Sequence, residues 1–139
     1  MQQVFELGEA EAGLAIRTIR EELVRRGKTG VIAVSDSHGE LISLLRMDGA
    51  PLTSIQIAEN KSWTAARCQK PTQDIGDRVR HPETGFDIAY YGDPRFVGWG
   101  GGIPLWKHGE VVGAIGVSGL SSAEDVTLAE LGAEAIADA

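Results

Sequence analysis

Twice along this chain, two strand-like runs are separated by only a few turn-forming residues. "VIAVSD" (31–36) leads through "SHGE" into "LISLLRMDG" (41–49), and "IPLWK" (103–107) leads through "HG" into "EVVGAIGVSG" (110–119). So short a connection joins only antiparallel neighbours, because a parallel crossover needs about a dozen residues or more. The chain must therefore build an antiparallel sheet from two hairpins, with His38 at the tip of the first and His108 in the turn of the second.

Helical periodicity fills the remaining space. Ala12, Ala15, Ile16, Ile19 and Leu23 recur on one face of residues 9–26, with charged residues off that stripe, and the helix ends near Gly27. Pro51 suits the first turn of a second helix over 51–68, whose Ala58, Ala65 and Ala66 would let it lie close to a sheet. A third helix starts at Ser121 or Ser122 in a capping-box pattern with Glu124 and Asp125, placing Val126, Ala129, Ala133 and Ile136 on one face. Between Pro71 and Gly98 the pattern loosens, apart from a short helical turn near "DIGDRV". A loop of that length covers a site or packs on a neighbouring subunit. The order helix, hairpin, helix, long loop, hairpin, helix predicts one α+β domain over 1–139.

Charge and composition narrow the partners. A net charge of −7, with the basic residues spread out, argues against nucleic acid, whose phosphates are held by clustered Lys and Arg. No apolar run approaches the roughly 20 residues that span a bilayer, and "MQQVFELGEAEAG" has no secretory-signal pattern, so a cytoplasmic protein without membrane partners is expected. The single cysteine, Cys68, excludes an internal disulfide and reads as a small apolar residue or a reactive thiol. No metal-ligand motif is present.

Seven of the 18 glycines fall between Trp99 and Ser122. Gly113 and Gly116 lie inside a strand, where missing side chains let a helix or subunit approach. Gly100, Gly101 and Gly102 stand together at a strand's start, where bare N–H groups would hold an anion or simply ease a tight turn. Lys61 sits on the inward stripe of the second helix, between Ala58 and Ala65. There it needs an acidic partner, such as Asp36 or Asp48, or takes a catalytic or ligand-holding role.

These residues also carry a family resemblance. "GELISLLRMDGA", "SIQIAENKSWTAA", "GGIPL" and "GEVVGAIGVSGLSSAEDVTLAELGAEAI" resemble, in this order, the GlcG/HbpS-type haem-binding family, also called the haem-degrading domain family, across residues 9–138. The resemblance implies a profilin-like three-layer α/β/α fold with a five-stranded antiparallel sheet. It implies self-association into dimers or larger assemblies such as octamers, and haem as a cofactor of some members. Arg46, Asp48, Gly49 and Ala50 match the family's strand end, Lys61, Thr64 and Ala65 its helix, and Gly101, Gly102 and Pro104 its second hairpin. His81, in the loop before the glycine run, reads as an axial haem ligand or as a surface histidine.

Two functions are expected from this sequence. One is an oligomeric small-molecule-binding protein that takes haem or a related anionic cofactor, with Trp99, Tyr90 or Tyr91 stacking on it and Gly100, Gly101 and Gly102 facing its carboxylates. The other is an enzyme acting on a small organic acid or ring compound, with Arg46 and Lys61 holding or polarising the substrate and the glycine run receiving an oxyanion. An assembly subunit using the glycine-lined strand as an interface is a third option.

Overall fold

A computed structural model describes residues 1–137. Helix α1 (Glu9–Arg25) buries the stripe Ala12, Ala15, Ile16, Ile19 and Leu23, with acidic residues in its first turn and Arg25 in its last, as the helix dipole favours. It closes with Gly27 N–H on Val24 O and Lys28 N–H on Leu23 O, the paired bonds of a Schellman motif. Strands β1 (Val31–Asp36) and β2 (Leu41–Arg46) form the first hairpin, whose turn is held by Asp36 Oδ1 accepting from the His38 and Glu40 amides. Strands β3 (Gly102–Lys107) and β4 (Glu110–Ser118) form the second.

The hairpins join through their inner strands, β1 and β4. The order is β2-β1-β4-β3, antiparallel throughout, with Val31 opposite Ser118 and Asp36 opposite Gly113. This sheet has four strands, not the expected five. The N-terminal stretch reaches it through the Leu7 N–H bond to Val112 O but does not extend into a strand.

Helices cover both faces, giving three layers. Helix α1 and helix α4 (Ser122–Ala137) pack on one face, where Ile19, Leu23, Ile32, Ile115, Val117 and Leu128 form the main core. Helix α2 (Thr53–Cys68) packs on the other, over a thinner layer of small residues such as Ala33, Ala58, Ala65 and Ala114. There Gly116 does what its position in a strand predicts: a Cβ on it would stand 2.1 Å from Ala58 O, so α2 crosses β4 backbone to backbone.

The segment after α2 is more ordered than its composition predicts. Residues Thr72–Val79 form helix α3, and Ile88–Tyr91 a short 3-10 turn. Beyond them the chain folds back over α2, whose residues 61–66 are consequently buried on every side. Thr64 Oγ1 donates to Arg95 O and accepts from the Val97 amide, while Phe96 meets the Trp63 ring edge-on at 4.8 Å. The guanidinium of Arg95 lies 4.2 Å from the centre of that ring. The long loop is the roof of a helix.

Candidate functional site

Lys61 is the most deeply buried basic group of the expected site. Its side chain and that of Asp125 are each 3% exposed, and Nζ lies 3.1 Å from Asp125 Oδ2 and 2.8 Å from Val117 O. The acid it was expected to find on the first hairpin, Asp36 or Asp48, is replaced by one from the start of α4. Asp36 instead caps its own turn. The second oxygen of Asp125 accepts from the Leu120 amide at 3.3 Å, so the pair ties α2, β4 and α4 together. Burial pulls the Lys61 ammonium below its ordinary range and the Asp125 charge partly restores it, while burial pushes the Asp125 carboxyl up against the opposing pull of Lys61.

The glycine run lies directly against this pair. A Cβ on Gly101 would come within 2.6 Å of Val117 O and 2.9 Å of Lys61 Nζ, and one on Gly102 within 2.5 Å of Lys61 O. A Cβ on Gly100 would meet Gln73 at 2.6 Å. The Gly102 amide donates to Thr72 Oγ1, and the Gly101 carbonyl accepts from Val117. The run is thus pressed between helices, with its space filled by protein.

The other expected residues are dispersed. Arg46 is exposed at the end of an edge strand, two strands from the β4 carbonyl that Lys61 holds. Tyr91 stacks on Phe86 and meets Phe96 edge-on, with its hydroxyl accepting from Arg78. Trp99 is 57% exposed. In His81, Nδ1 accepts from the amides of Glu83 and Thr84, which leaves the proton of the neutral ring on Nε2. Among the described residues, no group of three or more His, Cys, Asp or Glu side chains could hold a metal ion by itself.

An apolar hollow lies on the opposite side of the sheet. Between the N-terminal stretch, β3 and the last turns of α4 is a cleft of about 560 Å³, within the size range of small-molecule sites. Leu7, Leu105, Val112 and Ile136 line its depth, and Phe5 and Trp106, 55% and 56% exposed, stand at its mouth. Glu6 lines it too, but its carboxylate is occupied by the Ser37 amide, at 2.9 Å, and hydroxyl. Beyond Trp106 a second, more polar hollow of about 660 Å³ reaches His38 and Gln69.

A family model described as haem degrading protein HbpS-like matches residues 7–134. The chain belongs to the HbpS-like family. An uncharacterised 15.0 kDa protein from the dhaT-dhaS intergenic region of Citrobacter freundii is 32% identical to this HbpS-like chain over 129 residues, 93% of this chain and 91% of that protein. The corrinoid adenosyltransferase PduO of Salmonella typhimurium is 31% identical over 76% of this chain, which spans about a third (32%) of that longer protein. The crystal structure of Klebsiella pneumoniae ORFY superposes with a TM-score of 0.94 at 27% identity, covering 100% of this chain and 96% of that one. A PduOC:heme complex superposes at 0.87, with 27% identity over 94% of each chain.

Two parts of this HbpS-like chain escaped sequence reasoning. Asp125 read only as a helix-start residue, and nothing local signals a partner 64 positions away. The cleft did leave a trace: the apolar "VFEL" ahead of α1 and an exposed Trp106 beside buried Leu105 on β3.

Proposed function

We propose that this HbpS-like chain binds haem or a closely related planar tetrapyrrole, and that the cleft between the N-terminal stretch, β3 and α4 is its seat. The observation that carries this reading is the pairing of an apolar floor with two exposed aromatic rings at one mouth. A macrocycle presents a broad apolar face and a carboxylate-bearing edge, and wants that combination. Leu7, Leu105 and Val112 would meet the ring face and Phe5 and Trp106 would flank it, with the carboxylate-bearing edge turned to solvent, away from Glu6, Glu11 and Glu134 in the lining. The iron would supply redox and ligand chemistry when bound; the protein's share is to hold the ring and limit water. The likeness to the PduOC:heme complex supports the ligand class.

The enzyme reading draws no comparable support, since Arg46 and Lys61 lie apart and the Lys61 ammonium is taken by two protein acceptors. Self-association is part of the proposal. Exposed Leu41, Leu52 and Trp99 and the outer edges of β2 and β3, beside which no further strand lies among the described residues, supply surface for it. So is a cytoplasmic setting, which suits a lone, half-buried thiol. No helix among the described residues is long and apolar enough to cross a membrane.

Haemin titration tests the binding. The wild-type protein is expected to give a sharpened, shifted Soret band that saturates at a fixed stoichiometry. Ala133→Phe, which fills the cleft from α4, should weaken uptake while leaving the circular dichroism spectrum unchanged. A featureless titration of the wild type refutes the proposal.

A further inference from the structure

The two outer strands of the sheet are not equally open. On β3 the Gly102 amide donates to Thr72 Oγ1 at 2.9 Å and the Thr72 hydroxyl donates to Gly102 O at 3.4 Å, Pro104 has no N–H to offer, and the register breaks between Leu105 and Trp106. Proline, bulges and a covering element are the ordinary means by which an edge strand is kept from pairing. Strand β2 has none of these between Ser43 and Arg46, and no charged side chain from Leu41 to Leu45. Its ladder slips only near the start, past Ile42.

Pairing with β1 fixes which backbone groups of β2 point outward. The Met47 N–H bond to Gly30 O makes that a hydrogen-bonded pair, and such pairs alternate in an antiparallel ladder. Leu45 and Ser43 therefore turn their N–H and C=O inward to Ile32 and Val34, while Leu44 and Arg46 turn theirs away from β1, where no further strand lies among the described residues. The flanks are apolar: Leu41 is 44% exposed and Leu52, just ahead of α2, 72%. Opposite charges stand at the two ends, Glu40 before the strand and Arg46 closing it, and both lie on the α2 side. Glu40 is 3.8 Å from Arg67 of α2, and Arg46 pairs with Val31 of the α2-face layer. Among the described residues Arg46 has no ion-pair partner.

We infer that β2 is a self-pairing edge: a second copy of this chain adds its own β2 antiparallel across a twofold axis at Leu44, giving one continuous eight-stranded sheet. The inference rests on the self-association proposed above and adds its face and symmetry. With the axis there, Leu44 falls opposite Leu44 and exchanges both backbone bonds with it, Ser43 falls opposite Leu45, and Arg46 reaches the Leu41 end of the other strand, beside its Glu40. The faces agree, since Ser43 and Leu45 both lie on the α1/α4 side, as their β1 partners Val34 and Ile32 do. An axis at Ser43 or Leu45 would instead centre the contact on backbone groups already spent on β1. Each Arg46 gains a carboxylate across the contact. Because β2 and β3 are opposite edges of the sheet, the two clefts open at the far ends of the assembly, both free for a ligand.

Light scattering of the wild type, Arg46→Glu and Glu40→Arg/Arg46→Glu, together with a cross-linking variant, decides it. Arg46→Glu sets carboxylates against each other twice in a twofold contact. It should weaken association about tenfold or more and lower the mass by at least half at micromolar concentration. The charge-swapped double variant should restore the wild-type mass. Both positions are exposed, so both proteins should keep the wild-type circular dichroism spectrum. Leu44→Cys in a Cys68→Ser background should give a disulfide-linked dimer under mild oxidation, since residues opposed in a hydrogen-bonded pair have Cα atoms about 5.5 Å apart, within disulfide reach. A wild-type mass for Arg46→Glu, or a Leu44→Cys protein that stays uncrosslinked, overturns the β2 face while self-association stands. A monomeric wild type overturns both.

Discussion

Lys61 and Asp125 are charges in a place water does not reach. Each group's desolvation opposes their mutual attraction, so the pair contributes little net stability, yet either member alone is costly. Lys61→Met should therefore destabilise the fold by about 3–5 kcal/mol, and the double variant Lys61→Met/Asp125→Leu should recover most of that loss in urea unfolding. Acidity supplies an independent check. With Lys61 lowered in the native state, the unfolded chain binds more protons between that lowered value and the ordinary lysine value, so stability rises with pH across that window. With Asp125 raised, the native state binds more protons above the ordinary aspartate value, so stability falls as pH rises to the raised one. Both slopes should be reduced in the double variant, as measured by urea midpoints across pH.

At the scale of elements, the decisive contact is α2 on β4. Because Gly116 faces Ala58 O, Gly116→Ala must push a helix off a sheet, and should cost about 3 kcal/mol or more by thermal or chemical denaturation. This element pattern was largely legible in the sequence. Hairpins, helix stripes and the small residues of α2 are local signals, and Gly116 followed from the rule that a strand glycine marks a close approach. The bare glycines at 100–102 carried the same signal, which does not distinguish a ligand from a helix as the thing approached. Periodicity also fails where a segment packs by single aromatic and cation contacts, as from Arg80 to Gly98. The Lys61 partner lay beyond local reading altogether, since only the assembled layers bring α4 to α2.

At the scale of the whole molecule, the two faces of the sheet do different work. The α2 face is thin, closely apposed and roofed by its own loop, whereas the α1/α4 face holds the bulky core and opens at one end into the cleft. Two outer strands with no further strand beside them among the described residues, together with exposed Leu41 and Trp99, favour a second copy. Size-exclusion chromatography with light scattering should return a mass at least twice the 14.8 kDa of one chain at micromolar concentration. A strictly monomeric mass refutes self-association.

One wall of the cleft is the stretch ahead of α1, anchored by Leu7 against Gly113 and by Glu6 at Ser37. An affinity handle fused ahead of Met1 would emerge next to the polar hollow that Gln2, Gln3 and Val4 line, a few residues from Phe5 at the cleft. Purification strategy thus becomes a variable in any uptake assay, and a polyhistidine tag, itself an iron chelator, should be cleaved off first at either end, since Ala137 of α4 lines the same cleft.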